Sequence, residues 1–325
     1  MTLRGTVTKL LGSTSLVDVD GRAVECDLRA RLFRREGVRL AVGDEVEVAL
    51  PDDPEPAAPP SAASPAPPVR GMIEAVLPRR SALRRARDFK RDQVVCANVE
   101  RVVIVTAALD PPYKRAFIDR LVVAAERDGL LPVVVVNKLD LCDAEYARFV
   151  RLDLDVYGAL GYPTLAVSAE TGEGMAALAD LLSRGISAVV GPSGVGKSTL
   201  LNAVCPGLRL RTGDVSEHDG RGRHTTTAAE LVRLPRGGWV IDTPGLRAFG
   251  LWDLEPAQVL SGFRDVAEVA QGCRFGDCRH GGEPGCAARA AVAAGDLDEE
   301  RLQSYLKLRD EVEAEAAARQ SARRR

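Results

Sequence analysis

The segment Gly191–Ser198 constrains this chain most, because it reads G-P-S-G-V-G-K-S and fits the phosphate-binding pattern G-x-x-x-x-G-K-[ST]. The run before it, Ile186–Val190, is apolar enough for a buried strand, and Lys197–Val204 can open a helix. Glycines let successive backbone N–H groups point at phosphate oxygens, and a helix N-terminus adds its positive dipole end. We therefore predict a strand–loop–helix unit that binds a nucleoside triphosphate. The alternative is a glycine-rich turn that matches the pattern by chance.

We expect the whole phosphate-binding loop to contact the nucleotide. In this pattern the lysine, Lys197, reaches the β- and γ-phosphates, and the serine hydroxyl, on Ser198, ligates Mg²⁺. The predicted nucleotide contacts in this segment are Gly191, Pro192, Ser193, Gly194, Val195, Gly196, Lys197, Ser198 and Thr199.

Composition limits the remaining possibilities. With 325 residues, 46% of them hydrophobic, the chain can form two or three domains, and its net charge of −2 does not suit a general polyanion binder. No apolar run is long enough for a membrane span, and four of the seven cysteines are scattered. We therefore expect a cytoplasmic protein with no membrane association and no disulfide framework.

The first 77 residues predict a small β-domain, since short apolar stretches alternate with turns that contain Gly and Asp. Five short strands within so few residues favour a barrel of the OB type, and an SH3-like domain is the alternative. The predicted strands are Gly5–Leu11, Ser15–Val19, Arg22–Leu28, Asp44–Leu50 and Gly71–Leu77.

Two segments of unusual composition adjoin the last of these strands. Pro51–Pro68 holds eight prolines in eighteen residues, so we expect residues 51–70 to be a polyproline-like loop inserted into the barrel, either idle or beside its binding face. Arg79–Arg91 holds seven basic residues and one acidic residue within a connector that we place at 78–98. These charges fit contact with a nucleic-acid backbone, and they fit a solvated face equally well.

From Val99 the pattern changes to alternating strands and helices, which predicts a mostly parallel α/β sheet over residues 99–252. The predicted elements before the phosphate-binding loop are strands Val102–Ala107, Leu131–Val136 and Thr164–Val167 and helices Tyr113–Arg127, Ala144–Leu160 and Met175–Leu182. After that loop, Ala229–Leu234 and Gly238–Ile241 are expected to pair as an antiparallel edge of the sheet.

Two further motifs indicate that the nucleotide carries guanine. Asn137, Lys138 and Asp140 form N-K-x-D directly after a strand, where open α/β sheets bind ligands. The Asp140 carboxylate can accept hydrogen bonds from the base N1–H and 2-amino groups, a pair of donors that adenine lacks. Asn137 would hold the loop or contact N7, and the Lys138 stem would cover the ring. Ser168 and Ala169 begin S-A-E after another strand, where the Ala169 N–H would donate to the guanine carbonyl oxygen.

Asp242 and Gly245 belong to D-T-P-G, a D-x-x-G motif. The aspartate would reach Mg²⁺ through water, and the Gly245 N–H would contact the γ-phosphate. The order of the motifs is unusual, since the guanine-reading motifs precede the phosphate-binding loop, whereas conventional GTPases begin with that loop. We interpret this order as a circular permutation, which preserves a site when the original termini lie close together on the surface.

Residues around D-x-x-G bear on catalysis. Leu246 stands where many GTPases place a glutamine that orients water, so we predict slow unaided hydrolysis. The segment Gly220–Thr227 reads G-R-G-R-H-T-T-T, and one of its threonines would ligate Mg²⁺, with Thr225 and Thr226 as the assigned candidates. His224 is the candidate catalytic residue that orients water, and a solvated loop histidine is the alternative.

Cys273, Cys278, His280 and Cys286 spell C-x₄-C-x-H-x₅-C, the donor set of a closed tetrahedral Zn²⁺ site. Four protein ligands leave no open position for water, so the zinc would be structural; unrelated cysteines are the alternative. The flanking residues 256–270 and 287–318 have a helical pattern. We therefore predict an α-helical zinc-binding domain with a basic tail over residues 253–325.

Together these motifs resemble the bacterial family of small-ribosomal-subunit-dependent GTPases A, over nearly the whole chain. The permuted order, G-R-G-R-H-T-T-T and the zinc pattern carry the resemblance. It implies an OB-fold, a permuted GTPase domain and a zinc-binding domain. It also implies GTP hydrolysis stimulated by the 30S subunit, a role in late 30S maturation, and handling of catalytic water by His224. The proline-rich insertion departs from the compact barrel usual in that family.

The predicted protein is thus a monomeric, cytoplasmic GTPase that binds 16S rRNA within the small (30S) ribosomal subunit. Its cofactors would be one structural Zn²⁺, and Mg²⁺ bound together with GTP. Two alternatives differ in what the nucleotide does. The first is an RNA-binding nucleotide switch with no significant turnover, and the second is an ATP-dependent enzyme with the same phosphate-binding loop.

Overall fold

The computed structural model describes residues 2–30, 32, 39–51, 69–85, 93–206, 229–242 and 254–323. They form two compact units, each assembled from segments that are distant in sequence. One unit contains the described residues of Met1–Glu100, Ala179–Ala188 and Val215–Phe249, and the other those of Arg101–Leu178, Val189–Asp214 and Gly250–Arg325. The domain boundaries of the sequence analysis stay predictions.

A closed five-stranded barrel begins the first unit. Its strands are β1 (Thr2–Leu11), β2 (Thr14–Val19), β3 (Arg22–Leu28), β4 (Glu45–Ala49) and β5 (Val69–Val76). They follow the order β1-β2-β3-β5-β4, and β4 closes the barrel by pairing antiparallel with β1. β3 and β5 pair in parallel. This is the strand order of an OB-fold, so the prediction is confirmed and the SH3-like alternative is excluded.

The barrel forms because its strands alternate buried and half-buried residues. In β2 the buried positions are Ser15, Val17 and Val19, which is the period of two that places every second side chain inside. Val46 and Ile73 are fully buried in the same core. Apolar side chains from all five strands thus fill the interior.

Another pair of strands follows the barrel, in a segment for which the sequence indicated only a basic connector. β6 (Ala82–Arg85) and β7 (Gln93–Ala97) pair antiparallel. The sequence did not indicate either strand, because β6 lacks the β-branched residues that mark a strand, and β7, which holds Val94 and Val95, is only five residues long. Within the run, Arg79 Nε lies 2.6 Å from Asp44 Oδ1, and Arg80 Nη2 lies 2.7 Å from Glu45 Oε1. These two basic residues therefore bind the barrel. The side chains of 84–91 lie outside the described residues.

Three strands of the predicted α/β region belong wholly or in part to the first unit: β11 (Ile186–Val190), β12 (Glu230–Arg233) and β13 (Trp239–Asp242). β12 and β13 pair antiparallel, as predicted. The prediction that they form an edge was wrong, since β12 also pairs with β1, where Lys9 Nζ lies 2.5 Å from Glu230 Oε2. These two residues are 221 positions apart, so no local pattern could reveal their pairing.

Parallel strands also form the sheet of the second unit. β8 (Val99–Ala107), β9 (Leu131–Asn137) and β10 (Thr164–Ala166) lie in the order β10-β9-β8. The helices between the strands are α1 (Arg115–Arg127), α2 (Ala144–Ala159), α3 (Met175–Leu182) and α4 (Lys197–Val204). Ala107 lies in register with Asn137 and Ala166 with Val136, so the carboxyl ends of these strands share one edge. The predicted α/β pattern is confirmed.

Four helices follow in the C-terminal region: α5 (Pro256–Gly262), α6 (Arg264–Ala270), α7 (Ala287–Ala294) and α8 (Glu299–Arg323). They cover the stretches predicted to be helical, with breaks at Phe263 and at residues 295–298. α5 packs closely on α1, because a Cβ atom on Gly262 would lie 2.7 Å from Val123 Cγ2. The helical region is therefore packed onto the α/β fold of the second unit.

In the part of the chain that the structure describes, no helix is both long and apolar enough to cross a bilayer. All seven cysteines lie in that part, and each is a free thiol. Burial raises the pKa of the Cys26 thiol to about 12, so this residue is protonated at neutral pH. It packs in the barrel core as a small apolar group.

Candidate nucleotide site and metal centre

The phosphate-binding loop leaves the sheet at the end of β11, all five residues of which are buried. Two of its glycines lie too close to neighbouring atoms for any side chain. A Cβ atom on Gly191 would lie 2.2 Å from the carbonyl oxygen of Val105, and one on Gly196 would lie 2.4 Å from Nδ2 of Asn137. Gly196 also has a left-handed φ of 88° and directly precedes α4. The loop therefore has the close backbone packing and the helix N-terminus that a phosphate cradle requires.

Lys197 lies in the first turn of α4, with its ammonium group folded over the loop. Its Nζ donates to the carbonyl oxygens of Gly191 at 2.9 Å and Pro192 at 2.6 Å. Ser198 follows it in the same turn and is half-buried. Phosphate oxygens in the loop would take over the lysine's hydrogen bonds, since an ammonium group bonds more strongly to a charged oxygen than to a neutral carbonyl oxygen.

Asn137 links the loops that the motifs occupy. It is the last residue of β9 and is 2% exposed. Its Nδ2 donates to the carbonyl oxygen of Val195 at 2.9 Å, and its Oδ1 accepts from the backbone N–H of Ala169 at 3.3 Å. Of the two roles predicted for Asn137, this geometry favours holding the loops. The Ala169 N–H, assigned to the guanine carbonyl oxygen, donates to Asn137 here, so guanine would have to replace that bond.

Asp140 is an exposed residue in the middle of a short 3₁₀ turn, Leu139–Leu141. The hydroxyl of Ser168, which is fully buried, donates to Asp140 Oδ1 at 2.5 Å and accepts from the Thr171 N–H at 3.1 Å. The second guanine-reading motif therefore orients the carboxylate of the first. Sequence reasoning assigned both residues to the site, but it had no signal for the hydrogen bond between them.

Lys138 is held by a residue that the sequence analysis did not single out. It has a left-handed φ of 65°, and its Nζ donates to the carbonyl oxygen of Asp110 and lies 3.8 Å from Asp110 Oδ2. Asp110 follows β8, the parallel neighbour of β9, and its position at the carboxyl end of a strand is the signal that could have identified it. The tip of the lysine is thus anchored while its stem stays available to cover a base.

Replacing Ser168 by alanine should weaken GTP affinity by about 10- to 100-fold, since a hydrogen bond to a charged group contributes roughly 1.5–3 kcal/mol. The change frees the Asp140 carboxylate to rotate and leaves the Thr171 N–H without its acceptor. Calorimetric titration with GTP measures the effect. Ser321→Ala, which removes an exposed hydroxyl bonded to the Ala318 carbonyl oxygen, is the matched control. Equal affinities in the two variants would contradict a positioning role for Ser168.

The D-x-x-G motif begins where β13 ends. Asp242 is the last residue of that strand, and β13 runs parallel to β11 with Trp239 in register with Ile186. The two strands therefore run in the same direction. The Asp242 side chain lies outside the described residues. So do five further residues of the predictions, namely His224, Thr225, Thr226, Gly245 and Leu246.

The four predicted metal ligands lie together. Their donor atoms are all within 4.8 Å of one another, and His280 Nδ1 is 3.5 Å from Cys273 Sγ, 3.6 Å from Cys278 Sγ and 3.5 Å from Cys286 Sγ. In tetrahedral zinc, bonds of about 2.3 Å to sulfur and 2.0–2.1 Å to nitrogen place those atoms about 3.6 Å apart. The prediction of a metal-binding Cys₃His group is confirmed, and its dimensions fit Zn²⁺ bound through Nδ1.

Contacts around the metal centre hold the ligands in place. The Ala287 N–H at the start of α7 donates to Cys273 Sγ at 3.3 Å, and Arg289 Nε donates to the carbonyl oxygen of His280 at 3.1 Å. His280 is 3% exposed and lies beside the Tyr305 ring of α8, with 5.9 Å between ring centroids. A metal here would therefore join the loop 273–286 to two of the C-terminal helices.

The sequence is similar to proteins of one family. The family model described as RsgA GTPase matches residues 76–252, more than half of the chain. The protein named "Small ribosomal subunit biogenesis GTPase RsgA" from Shewanella oneidensis is 38% identical over 317 residues, which cover 97% of this chain and 85% of the relative. The protein of the same name from Moorella thermoacetica is 41% identical over 310 residues, which cover 95% of this chain and 97% of the relative.

Two solved structures share the fold over nearly the whole length. The structure titled "Crystal structure of YjeQ from Thermotoga maritima" has a TM-score of 0.74 and 34% identity, covering 96% of this chain and 99% of that one. The structure titled "The crystal structure of YloQ, a circularly permuted GTPase" has a TM-score of 0.73 and 25% identity, covering 97% of this chain and 96% of that one. The barrel, the permuted order of the motifs and the Cys₃His cluster agree with these relationships. The chain therefore belongs to the RsgA GTPase family.

Proposed function

We propose that this GTPase hydrolyses GTP while it is bound to the small ribosomal subunit, and that it acts in the late maturation of that subunit in the cytoplasm. The observation that carries the proposal is similarity over nearly the full length to proteins named small ribosomal subunit biogenesis GTPases. Contact with 16S rRNA, through the OB-fold and the metal-binding region, is part of the same proposal. OB-folds commonly bind oligonucleotides, which supports the first of these contacts.

Guanine recognition in this proposal depends on contacts seen in the second unit. Asp140 accepts from the base while Ser168 holds one of its oxygens, and Asn137 keeps the base-reading loops and the phosphate-binding loop together. Lys197 and Ser198 then bind the phosphates and Mg²⁺. In this proposal the base and the phosphate groups lie at one edge of a parallel sheet, where such folds bind nucleotides.

Hydrolysis is proposed to be slow without the subunit. Leu246 has no polar group with which to orient water, so another residue must do so, and His224 is our candidate. Thr225 or Thr226 would complete the Mg²⁺ shell, and Asp242 and Gly245 would contact Mg²⁺ and the γ-phosphate. These assignments depend on the motif order and on the family resemblance. The metal that the Cys₃His group Cys273–Cys286 would hold is proposed to be one structural Zn²⁺, and the protein is proposed to be a monomer.

Multiple-turnover release of phosphate from GTP tests the proposal. We expect a low rate for the protein alone and a rise of about tenfold or more when purified 30S subunits are added, because partner proteins that complete a GTPase site accelerate it by large factors. Isolated 50S subunits are the matched control for a bulk effect of ribosomal RNA. An unchanged rate with 30S subunits would disprove subunit-dependent hydrolysis.

The same assay separates the two alternatives. A nucleotide switch without turnover would bind GTP and 30S subunits but release no phosphate beyond one equivalent. An ATP-dependent enzyme would release phosphate from ATP in preference to GTP. Our proposal predicts many equivalents of phosphate from GTP and a negligible amount from ATP, because the Asp140 carboxylate cannot accept from the adenine amino group and from N1 together.

A further inference from the structure

The turn between the first two metal ligands exposes an aromatic ring. Phe275 is 44% exposed, and among described residues Phe149, at 47%, is the other phenylalanine with a comparably exposed side chain. Single exposed apolar side chains are common on protein surfaces, so the argument for Phe275 depends on the turn that holds the ring and on its neighbours. Phe275 lies between Cys273 and Cys278, both of which face the metal site.

The backbone holds this turn in one conformation. The Cys278 N–H donates to the carbonyl oxygen of Phe275 at 3.2 Å, and the Arg274 N–H donates to the carbonyl oxygen of Gly285 at 3.1 Å. Gly285 has a φ of 76°, and a Cβ there would lie 2.9 Å from Arg274 Cβ. With its ends fixed at two ligands, the turn presents Phe275 at little further entropic cost on binding.

The surroundings of the ring suit a single flat ligand with a phosphate attached. The Arg274 guanidinium lies 5.5 Å from the centroid of the Phe275 ring, within cation–π range. Beyond the ring, a Cβ atom on Gly276 would meet no atom within 4 Å, so the approach to the turn is open. Bases of unpaired RNA stack on aromatic rings and arginine planes, and arginine also pairs with the phosphate.

A protein or membrane partner fits this turn less well. Interfaces between proteins anchor on residues that lie within a wider apolar area, whereas Phe275 is followed by Gly276 and the exposed Asp277. A membrane surface would require several basic and apolar side chains next to one another, whereas the Phe275 ring has the single guanidinium of Arg274 beside it. An exposed ring with one arginine beside it offers a contact area that a single nucleotide can cover.

We propose that Phe275 is a stacking platform for one unpaired base of RNA, with Arg274 placed to contact the adjoining phosphate. The inference rests on the proposed function, because the RNA concerned would be rRNA of the small subunit. It goes beyond that function by assigning a chemical contact to a residue outside both the nucleotide site and the metal ligands. Metal binding then has a consequence for recognition, since it fixes the turn that carries the ring.

The test measures affinity of the full-length protein for 30S subunits and for protein-free 16S rRNA. Phe275→Ala and Phe275→Leu should each weaken binding to both by roughly tenfold, whereas Phe275→Tyr should bind like the unchanged protein, because stacking needs an aromatic ring. Phe149→Ala, at a residue of similar exposure, is the matched control and should have no effect. The zinc content of every variant is measured, and Phe275→Leu and Phe275→Tyr keep a large side chain in the turn.

Several outcomes would overturn the inference. These are unchanged binding by Phe275→Ala, full binding by Phe275→Leu, equal losses in Phe149→Ala, or a loss seen with 30S subunits but not with protein-free rRNA. The last result would identify a protein contact. If the unchanged protein bound neither 30S subunits nor rRNA, the proposed function itself would fail, which is a separate result from equal binding by all variants.

Discussion

Replacing Asp140 by asparagine should lower the affinity for GTP by about 100-fold or more, because sites built around specific hydrogen bonds reject partners that leave those bonds unmade by large factors. The Asp140 carboxylate only accepts, which matches the two donors on guanine, N1–H and the 2-amino group. The asparagine amide would turn an NH₂ group toward one of those donors. Two donors would then face each other in place of a hydrogen bond to a charged acceptor.

The same change should create a preference that the unchanged protein lacks. Xanthine carries a carbonyl group where guanine carries the 2-amino group, so an asparagine amide can donate to it while its oxygen accepts from N1–H. We therefore expect Asp140→Asn to bind and hydrolyse XTP in preference to GTP. Competition among GTP, XTP and ATP for binding, followed by phosphate release from each, measures the switch.

Asp143→Asn is the matched control for this experiment. Asp143 lies three residues further along the same loop, and its carboxylate accepts from the Tyr146 N–H at 2.8 Å as the N-cap of α2. Asparagine caps helices as well as aspartate does, so neither stability nor base preference should change. Ser168 can still donate to the amide oxygen of Asp140→Asn, which preserves the local structure. Unaltered base preference in Asp140→Asn would show that N-K-x-D does not read the base.

Elements with a strong local pattern could be predicted from the sequence to within two or three residues. Strand β11 and helix α4 have the predicted bounds, since an apolar run followed by a glycine-rich turn leaves few alternatives. The barrel was predictable because its strands alternate buried and exposed positions between glycine turns. The zinc pattern was predictable because four donors within fourteen residues have little freedom to lie apart.

Pairings over long distances in the sequence were not predictable. The contact of β12 with β1 joins residues 221 positions apart, and the ion pair between Arg79 and Asp44 crosses from a basic run into the barrel. Local composition reports how a segment behaves alone, whereas such contacts depend on where the rest of the chain lies. In the nucleotide site, the residues were predictable but the bond from Ser168 to Asp140 and the anchoring of Lys138 by Asp110 were not.

The contact between α8 and the nucleotide-binding fold is the clearest example of a contact that could not be predicted from the sequence. Arg301 is 1% exposed, and its guanidinium lies 4.4 Å from the centroid of the Phe263 ring. It pairs with Asp265 through two hydrogen bonds, of 2.9 and 3.0 Å, and with Asp119 of α1, which also accepts from Tyr157 Oη at 2.8 Å. The sequence of α8 is rich in charged residues, so it did not indicate that one of its arginines is buried.

Replacing Arg301 by alanine should destabilise the second unit by about 3–5 kcal/mol, since removing one member of a buried ion pair leaves the other charge without compensation. The variant leaves Asp119 buried and opens a cavity beside Phe263. Thermal unfolding, followed by near-ultraviolet circular dichroism, measures the loss. The matched control is Arg236→Ala, which removes an exposed arginine 2.5 Å from Asp180 and should change stability by about 0–1 kcal/mol.

The loss of stability in Arg301→Ala should become smaller as the pH is lowered. Burial raises the pKa of the Asp119 carboxyl above its ordinary value of 3.8, and the positive charge of Arg301 opposes that shift. Without Arg301 the folded-state pKa rises further, so the folded state binds the proton more tightly than the unfolded state. Stability then falls as pH rises from about 3.8 through the folded-state pKa.

The deficit of Arg301→Ala relative to the unchanged protein should therefore shrink when the pH is lowered from 8 to 5, because protonation removes the buried negative charge. Adding Asp119→Asn to Arg301→Ala should recover part of the stability at pH 8 and abolish the pH dependence. If the deficit were the same at both pH values, or if the double variant were no more stable than Arg301→Ala, the loss would come from the cavity beside Phe263 and not from an uncompensated carboxylate at Asp119.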